Sequence, residues 1–414
     1  MSGLRTVRGT HDLLPEDSRR MRAVEDAAFA TARRYGYGEI ATPIFEFTEV
    51  FARTLGDTSD VVTKEMYTFE DRGGDSLTLR PENTAGIVRA FISNSLSARL
   101  PVRAFYRGPM FRYERPQKGR LRQFHQVGVE LLGIADPLGD VEVIALAHDV
   151  LSALGLGDRV TLEINTLGDA DSRAAYRESL VAYLQQHRDR LSADSIERLE
   201  RNPLRILDSK DPGDRELVAQ APSLAESLDD RSRGFFAAVL RGLDELGIAH
   251  TLNPRLVRGL DYYCHTTFEF TTDALGAQGT VLAGGRYDGL VGQMGGPATP
   301  GTGWAAGVER LTMLSAAEAA APRPIAMIAL GAEQAGAALR LAKRLRDSGH
   351  VVEFGFANSL GKQLKWANRI NARLAVIVGT DEVARDVAMV RDMDAGSQEE
   401  VSLTLLEDRL ARSA

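Results

Sequence analysis

The stretch FRYERPQKGRLRQFHQVGVELLG, which spans Phe111–Gly133, predicts a strand, a basic loop and a returning strand. On the returning strand, Gln126 and Glu130 fall on one face, and the apolar residues that alternate with them fall on the other. Arg112 and Glu114 are two positions apart, so they are expected to share a face of the first strand. We therefore expect a sheet that packs one apolar face on a core and offers its polar face to an anionic substrate.

The basic character of this stretch contrasts with the formal net charge of the whole chain, which is −7. From Arg99 to His125 the sequence contains eight lysines and arginines and a single acid, Glu114. Such a tract can hold a polyphosphate even in an acidic protein. A solvated basic loop is the ordinary interpretation of such a tract, so both interpretations stay open on charge alone.

The composition is that of a globular protein with more than one domain. The chain has 414 residues, of which 44% are hydrophobic and 26% charged, enough for two or three separate cores. No run of about 18 apolar residues predicts a transmembrane helix, and the first residues contain no apolar signal segment. Cys264 is the only cysteine, which excludes an intramolecular disulfide and a cysteine-ligated zinc cluster. We expect a cytoplasmic protein.

The first part of the chain predicts helices mixed with short strands. Apolar residues from Met21 to Tyr35 recur at helical spacing, with Asp17 or Ser18 as the expected N-cap. The strands come in groups rather than in strict alternation with helices, which is typical of an antiparallel sheet in an α+β domain. From about residue 169 to 250 helical patterns dominate, and we expect a helical insertion within the sheet domain.

A second domain is expected after Ser315–Pro324, where an alanine-rich helix end runs into two prolines. Beyond this boundary, strand patterns alternate strictly with helix patterns, which predicts a small parallel α/β domain. The expected division is therefore a first domain over residues 1–322 and a second over residues 325–414.

Common nucleotide-binding and metal-binding motifs are not found. Gly355–Gln363 resembles a P-loop but has one residue too many between its glycines, and it ends on glutamine where a serine or threonine should bind magnesium. Gly301–Gly303 is too short for a dinucleotide fingerprint. No H-E-x-x-H sequence or cysteine pair predicts a catalytic metal. Any nucleotide is therefore expected to bind in a less common way.

Three segments resemble the motifs of class II aminoacyl-tRNA synthetases. Phe111–Phe124 is similar to motif 2, and the residues around Ala41–Pro43 are similar to motif 1, which supplies the dimer interface in that class. Gly301–Arg310 is similar to motif 3, with Trp304 where phenylalanine is usual. Further stretches resemble the histidyl-tRNA synthetase family in particular: Thr78–Ala85, Leu256–Tyr263 and Gly284–Asp288. The resemblance covers nearly the whole chain in order.

This resemblance implies a class II catalytic domain with a helical insertion, a C-terminal α/β anticodon-binding domain and a homodimer. The reaction would join the carboxylate of L-histidine to the α-phosphate of ATP and then transfer the histidyl group to the 3′ end of tRNA-His. Mg²⁺ would accompany ATP without a dedicated metal site in the protein. No membrane partner is implied.

The resemblance also implies roles for individual residues. The catalytic residues would be Arg112, Arg258 and Arg310. The residues around ATP would be Arg112, Glu114, Phe124 and Arg310. The residues around histidine would be Glu82, Asn83, Thr84, Arg112, Gln126, Glu130, Arg258, Tyr262 and Tyr263. Fixed guanidinium groups suit this chemistry, because two anions must meet and negative charge grows on the phosphoryl oxygens in the transition state.

Two groups of residues are expected to contact tRNA. The basic loop of the motif 2 segment would meet the acceptor end through Arg115, Gln117, Lys118, Arg120 and Arg122. In the second domain, one face of a predicted helix would contact the anticodon through Lys362, Lys365 and Arg369. A solvated basic face is the alternative interpretation of that helix.

Single residues also have ordinary structural interpretations. Glu82 could be an acid that favours a helix N-terminus, and Tyr262 and Tyr263 could be core residues. A different function is a non-catalytic, synthetase-like subunit that regulates ATP phosphoribosyltransferase, but such a subunit would lack the second domain and the catalytic arginines. Another class II synthetase of the same subgroup, for glycine, threonine or proline, would not contain the Leu256–Tyr263 stretch.

Overall fold

A computed structural model describes residues 4–55, 61–117, 119–209, 211–257, 262–315, 321–357 and 359–411. The chain divides into two compact units, residues 1–319 and 320–414. Each unit has its own hydrophobic core.

The first unit combines a sheet-rich part with a helix-rich part. Its strands are β1 (Gly38–Glu39), β2 (Phe45–Phe47), β3 (Tyr67–Glu70), β4 (Ser76–Leu79), β5 (Val102–Phe111), β6 (Gln123–Leu132), β7 (Thr161–Thr166), β8 (Thr251–Leu252), β9 (Cys264–Thr271), β10 (Thr280–Arg286) and β11 (Gly301–Gly307). Its α-helices are α1 (Pro15–Arg34), α2 (Thr48–Leu55), α3 (Thr84–Ser93), α4 (Pro137–Ala153), α5 (Ala170–Gln186), α6 (Ala193–Arg201), α7 (Pro212–Val218), α8 (Leu224–Ser227), α9 (Asp230–Glu245), α10 (Leu290–Gln293) and α11 (Val308–Leu314).

An eight-stranded sheet forms the centre of this unit, in the order β1-β5-β6-β11-β10-β9-β7-β8. The strands from β5 to β7 in that order pair antiparallel, whereas the edge strands β1 and β8 pair parallel to their neighbours. The α+β class and the antiparallel sheet expected from the sequence are confirmed, with two short parallel strands at the edges.

One face of this sheet packs on the main core. Val127, Val129 and Leu131 of β6 and Phe268 and Phe270 of β9 are all at most 1% exposed and belong to one hydrophobic cluster. Helices α1, α4 and α11 contribute buried residues to the same cluster. Each such apolar side chain stabilises the fold by roughly 1.5–3 kcal/mol. The alternate residues of the same strands therefore face the opposite side of the sheet.

Helix α1 begins earlier than its sequence pattern predicts. Its N-cap is Leu14, with Pro15 at the first helical position, so Asp17 and Ser18 lie inside the first turn. The expected cap was wrong because proline, which has no N–H and a fixed φ, suits the first position of a helix. The expected buried face is present, because Met21, Val24, Ala28 and Thr31 are all buried.

The first unit also contains a small antiparallel sheet of three strands, in the order β2-β4-β3. Phe45 and Phe47 of β2 and Phe69 of β3 lie on one of its faces and are 48%, 52% and 45% exposed. Threonine hydroxyls occupy the other face, where Thr68 and Thr78 are 2.9 Å apart. This sheet thus presents an exposed aromatic face, which we call the aromatic sheet face.

Helices dominate the chain between β7 and β8, the region where an insertion was expected. Helices α5 to α8 contribute a cluster of buried leucines, among them Leu180, Leu184 and Leu217. Helix α9 instead packs with α4 in the main core through Val239 and Leu243. The helix-rich range therefore contributes to two different cores.

The second unit consists of β12 (Ile325–Ala329), α12 (Ala335–Asp347), β13 (Val352–Phe354), α13 (Leu360–Arg369), β14 (Leu374–Val378), α14 (Thr380–Ala384), β15 (Val387–Asp392), β16 (Gln398–Ser402) and α15 (Leu406–Ala411). Its sheet has the order β13-β12-β14-β15-β16. Strands β13, β12 and β14 are parallel as expected, but β15 and β16 are antiparallel. The expectation of a wholly parallel sheet was wrong because this C-terminal hairpin extends it.

Candidate active site

A cavity of about 880 Å³ lies on the polar face of the eight-stranded sheet. Six residues expected from the sequence line it: Arg112, Glu114, Arg120, Phe124, Gln126 and Arg310. The sheet register explains their proximity, because β6 lies beside β11, and Arg310 follows β11 at the start of α11. The cavity therefore unites the segments that resemble motifs 2 and 3.

Glu114 lies between two guanidinium groups at the cavity wall. The distance from Arg112 Nη1 to Glu114 Oε1 is 3.9 Å, and that from Arg120 Nη1 to Glu114 Oε2 is 3.2 Å. Strand β5 ends at Phe111, so Arg112 and Glu114 lie just beyond it rather than on one strand face as expected. Their proximity results from the loop, in which the Glu114 amide donates to the Arg112 carbonyl over 2.8 Å.

The Arg112 side chain is anchored on two sides. Its Nε donates to the carbonyl of Pro81 over 2.8 Å, and its guanidinium carbon lies 5.4 Å from the centre of the Phe124 ring. A guanidinium held by a carbonyl and an aromatic face loses little entropy when it binds an anion. Arg112 is thus preorganised in the cavity.

Arg310 is fixed by two backbone carbonyls. Its Nε donates to Gly119 over 3.1 Å and its Nη1 to Thr280 over 2.7 Å. Burial, followed by the positive charges of Arg120 and Arg112, lowers the pKa of Arg310 from its usual value. The cavity is lined by five arginines and four glutamates, so positive charge exceeds negative charge by one. This balance, with three of the arginines gathered around Glu114, favours an anionic ligand such as a polyphosphate.

Glu130 lies further along β6 and is almost fully buried. Its carboxylate accepts a hydrogen bond from Thr84 Oγ1 over 2.8 Å and another from the hydroxyl of Tyr287. A Cβ on Gly303 of the neighbouring strand would lie 1.9 Å from Glu130 Oε2. The glycine in the motif 3 segment therefore makes the space that this carboxylate occupies.

Burial raises the pKa of Glu130 to about 8, although the hydrogen bonds from Tyr287 and Thr84 act in the opposite direction. Burial also raises the pKa of the neighbouring Glu82. Two carboxyl groups thus lie where their ionised forms are poorly solvated. A ligand that donates a hydrogen bond or carries positive charge would stabilise the ionised form of Glu130.

We predict that the ligand-free protein loses stability as the pH rises from about 4.5 to about 8. Folded Glu130 retains its proton over this range, whereas an unfolded glutamate has released it, so the folded state is favoured at the lower pH. Glu130→Gln removes this titration. The melting temperature of the variant should therefore fall less steeply with pH than that of the wild type, and parallel pH curves for the two proteins would contradict the prediction.

Glu82 and Asn83 hold the start of α3. The Glu82 carboxylate accepts from the amides of Thr84 and Ala85 over 2.7 and 2.9 Å, as expected of an acid at a helix N-terminus. The Asn83 side-chain oxygen accepts from Thr42 Oγ1 over 2.6 Å. The structure thus gives both residues a local structural role, and their contacts with histidine remain predictions.

Gln126, Tyr262 and Tyr263 are three further residues expected to bind histidine. The side-chain oxygen of Gln126 is buried and has no hydrogen-bond partner among the described residues, which makes it a candidate acceptor for a ligand. Tyr262 and Tyr263 are buried with ring centres 4.6 Å apart, and Tyr262 also meets the Tyr287 ring edge-on. The tyrosines thus form an aromatic wall and also serve as core residues.

The expected tRNA-contacting residues of the loop differ in their surroundings. Arg115 and Gln117 are exposed, while Arg120 lies both at the surface and at the cavity. Arg122 stacks 3.9 Å from the centre of the Tyr113 ring and donates to the Glu114 carbonyl over 3.2 Å, so it stabilises the loop itself.

Two sequence predictions, Arg258 and Lys118, lie outside the described residues. In the second unit, Lys362, Lys365 and Arg369 are exposed on α13.

Several cavity residues were not predicted. Glu163 of β7 and Glu269 of β9 line the floor and are paired in the sheet register. The signal was available, because Glu269 alternates with buried Phe268 and Phe270 just as Glu130 alternates with apolar residues of β6. Tyr287 was also missed, because it follows β10 in a turn where alternation gives no information.

The helix-rich range closes one side of the cavity through Ser209 and Arg215. Both adjoin the buried carboxylate of Asp214, whose Oδ2 accepts from Ser192, Ser195 and Ser209 over 2.6–2.7 Å. Burial raises the pKa of Asp214, but these hydrogen bonds outweigh it and the net pKa is lowered. An ionised Asp214 therefore fixes this side of the cavity.

Trp304 departs from the usual residue of motif 3 without disturbing the site. It alternates with Gly303 on β11 and therefore points into the main core, where its indole N–H donates to the Val143 carbonyl over 3.1 Å. The larger ring is accommodated beneath the sheet, on the side away from Glu130.

Among the described residues, no three histidine, cysteine, aspartate or glutamate side chains come together as a metal site. The described helices also include none with both the length and the apolar character to cross a membrane.

Comparisons with known proteins give a consistent result. A family model described as Histidyl-tRNA synthetase matches residues 9–311, and one described as Anticodon binding domain matches residues 325–412. The histidine–tRNA ligase of Rhodospirillum rubrum is 64% identical over 413 residues, which cover 100% of each chain. That of Gluconacetobacter diazotrophicus is 57% identical over 99% of each chain. The crystal structure of apo S. aureus histidyl-tRNA synthetase aligns with a TM-score of 0.83 at 33% identity, covering 98% of this chain and 99% of that one.

Proposed function

Because this chain belongs to the histidyl-tRNA synthetase family, we propose that it activates histidine with ATP in the arginine-lined cavity and transfers the histidyl group to tRNA-His. In the first step, a carboxylate oxygen of histidine attacks the α-phosphorus of ATP. The bond from this phosphorus to the oxygen that bridges to the β-phosphate breaks, and pyrophosphate leaves with that electron pair. In the second step, a ribose hydroxyl at the 3′ end of the tRNA attacks the histidyl carbonyl, and AMP leaves.

The cavity supplies the charge that this first step needs. Arg112 and Arg310 are held by backbone carbonyls, so they meet the growing negative charge without reorganising. Phe124 and Arg310 would take the two faces of the adenine ring, and Glu114 would accept from the adenine amino group. Arg258, by its place in the family's motif, would bind the histidine carboxylate and the α-phosphate.

The buried groups around Glu130 would select histidine. Glu130 would accept from one imidazole nitrogen and Tyr263 would bond the other, with Thr84, Glu82 and Gln126 at the ammonium end. An analogue without imidazole would leave buried Glu130 without the ligand donor that stabilises its ionised form, a penalty that can amount to about 10⁴-fold in specificity. The observation that carries this proposal is the buried Glu130 carboxylate on the strand that also lines the arginine cavity.

The direct test is histidine-dependent exchange of labelled pyrophosphate into ATP by the purified protein, followed by charging of a tRNA-His transcript. We expect exchange with histidine and none with glycine, threonine or proline. A protein without histidine-dependent exchange at saturating ATP and Mg²⁺ would not be the proposed enzyme.

The regulatory-subunit alternative is not favoured. The ligase relatives match this chain from end to end, and the second unit matches the anticodon-binding model. Arg112 and Arg310 also lie together in one cavity. A regulatory subunit would need neither feature.

Mg²⁺ is proposed to arrive with ATP, where it would neutralise part of the phosphate charge. The acidic floor of the cavity fits a role of this kind, because Glu163 and Glu269 provide the carboxylate oxygens that Mg²⁺ prefers. Asn253 already donates to Glu163, and Thr280 donates to Glu269 over 2.7 Å. The protein is therefore expected to contribute few ligands to Mg²⁺, and the nucleotide would hold most of the ion's coordination.

Transfer to tRNA is proposed to involve the exposed part of the loop, Arg115, Gln117, Lys118 and Arg120, with Arg122 in support. The phosphate of the adenylate can take the proton from the ribose hydroxyl, so no additional base is needed. The cytoplasm is the compartment proposed for this reaction, in line with the single cysteine of the sequence.

A homodimer formed through the aromatic sheet face is also proposed. Exposed apolar patches of this kind mark protein interfaces, and the family's motif 1 lies directly before β2. We predict that Phe47→Glu shifts the protein from dimer to monomer in light scattering. Leu246→Glu, at a similarly exposed leucine after α9, is the matched control and should leave the mass unchanged. A monomeric wild type, or dimers in both variants, would refute this interface.

A further inference from the structure

A tight turn precedes helix α1 and lies against the segment that resembles motif 2. The amide and the hydroxyl of Thr10 both donate to the Val7 carbonyl, over 2.9 and 2.8 Å. Gly9, inside this turn, has a φ of +85°, a value that residues with a side chain rarely adopt. The turn, residues 7–10, therefore has a defined shape although it belongs to no helix or strand. We call it the N-terminal turn.

The N-terminal turn is joined to the returning end of the basic loop. The Arg122 amide donates to the Gly9 carbonyl over 2.8 Å, and the Arg122 carbonyl accepts from the Arg112 amide over 2.9 Å. A Cβ on Gly9 would lie 2.8 Å from Arg122 Cγ and 3.0 Å from Pro116 Cγ. The turn is thus in close contact with both arms of the loop, and three chain segments lie side by side.

Arg122 connects the N-terminal turn with two cavity residues. Its carbonyl holds the Arg112 amide, and its side-chain Nε donates to the Glu114 carbonyl over 3.2 Å. Its guanidinium also lies on the Tyr113 ring. Arg112 and Glu114 both line the cavity. The backbone of these two residues is therefore positioned by Arg122, whose own amide is held by Gly9.

The N-terminal turn is itself attached to the core of the first unit. Leu13 packs against the main hydrophobic cluster, and α1 begins two residues later. Arg20 of α1 donates from Nη2 to the Thr312 carbonyl over 3.2 Å, and Thr312 belongs to α11, the helix that also contains Arg310. The start of the chain is thus connected to both segments that supply the cavity arginines Arg112 and Arg310.

We propose that the N-terminal turn is a positioning element of the adenylation site, which sets the place of Arg112 and Glu114 for ATP through the hydrogen bond between Gly9 and Arg122. This inference rests on the proposed function and adds to it a segment that precedes all three motifs in the chain. Glu130 should be little affected by the turn, because β6 is paired with β5 and β11 before the chain reaches Glu130. The turn should therefore influence the use of ATP more than that of histidine.

The test compares Gly9→Ala with the wild-type full-length protein in histidine-dependent pyrophosphate exchange. The kcat/KM for ATP should fall about 10- to 100-fold, because a displacement of about 1 Å at a catalytic group can cost about 10²-fold. The KM for histidine should stay near the wild-type value. Gly155→Ala is the matched control, since Gly155 also has a positive φ, +72°, but its Cβ would meet nothing within 4 Å. This control should leave the ATP kinetics unchanged.

Thr10→Val weakens the N-terminal turn without adding a contact. It removes the hydroxyl that donates to the Val7 carbonyl and keeps the volume of the side chain. The kcat/KM for ATP should fall in the same direction as in Gly9→Ala, by a smaller factor. Thr10→Ser keeps the hydroxyl and should behave like the wild type. This pair of variants tests the proposal even where Gly9→Ala does not fold.

Wild-type ATP kinetics in a folded Gly9→Ala would overturn the proposal, and wild-type kinetics in Thr10→Val would do so if Gly9→Ala does not fold. Equal losses toward ATP and histidine would also overturn it, because they would indicate general damage to the fold. The same ATP defect in Gly155→Ala would contradict a specific contact. Absence of histidine-dependent exchange in the wild type would instead refute the proposed function, so the two failures can be distinguished.

Discussion

Arg112→Ala should reduce the rate of histidine-dependent pyrophosphate exchange by about 10²–10³-fold, the usual cost of removing one preorganised group that stabilises transition-state charge. Arg112 lies in the cavity with its Nε held by Pro81 and its plane near the Phe124 ring. Loss of the side chain removes a cation from the cavity and leaves Glu114 paired with Arg120 alone. Steady-state exchange with varied ATP and histidine measures the effect.

Arg115→Ala is the matched control for this experiment. Arg115 belongs to the same loop but is exposed and does not line the cavity. Exchange should therefore be retained, while the KM for tRNA rises. Arg112→Lys should recover only part of the lost rate, because an ammonium cannot bind phosphate in the planar, two-pronged manner of a guanidinium. Wild-type exchange by Arg112→Ala would show that this arginine only supports the loop.

Gly303→Ala should raise the KM for histidine by one to two orders of magnitude and lower the melting temperature. The new Cβ would lie 1.9 Å from Glu130 Oε2 and 2.3 Å from the Val129 carbonyl. The second contact is with backbone, so a rotation of the Glu130 side chain would not relieve it. Overpacking of this kind costs about 1–3 kcal/mol or more, and each 1.4 kcal/mol of lost binding is tenfold.

Gly307→Ala, on the same strand, separates the local clash from a general effect on β11. A Cβ at this position would meet only the Arg310 side chain, at 3.9 Å. Its melting temperature should stay near that of the wild type. If Gly303→Ala binds histidine normally, the carboxylate of Glu130 is not the group that recognises the imidazole.

The alternation of polar and apolar residues was sufficient to predict the two faces of β6. Glu130 and Gln126 alternate with residues that are fully buried in the core. The same rule would have found Glu269 on β9, where buried phenylalanines alternate with it. It could not find Tyr287, because this residue reaches Glu130 from a turn, across a sequence separation of 157 positions. Contacts of that kind depend on tertiary packing rather than on local periodicity.

Sequence patterns were least informative for residue types that can serve either a structural or a ligand-binding role. Glu82 was expected at the ammonium group of histidine, yet its oxygens cap the first turn of α3. A carboxylate has lone pairs for both functions, so the pattern does not distinguish them.

The C-terminal hairpin of the second unit was missed for a different reason. Strand β16, Gln398–Ser402, is mostly exposed and polar, and it gains its strand conformation by pairing with β15.

Trp304 is buried in the main core, on the face of β11 opposite to the one that adjoins Glu130. Its indole can therefore serve as an intrinsic fluorescence probe of the first unit. The chain contains two tryptophans, and the other, Trp366, belongs to the second unit. Replacing Trp366 with phenylalanine would leave a single indole emitter one strand away from the carboxylate expected to hold imidazole. The tryptophan fluorescence of that variant would report on the first unit alone. Replacing Trp304 instead would leave Trp366 as the only tryptophan, so that fluorescence would report on the second unit alone.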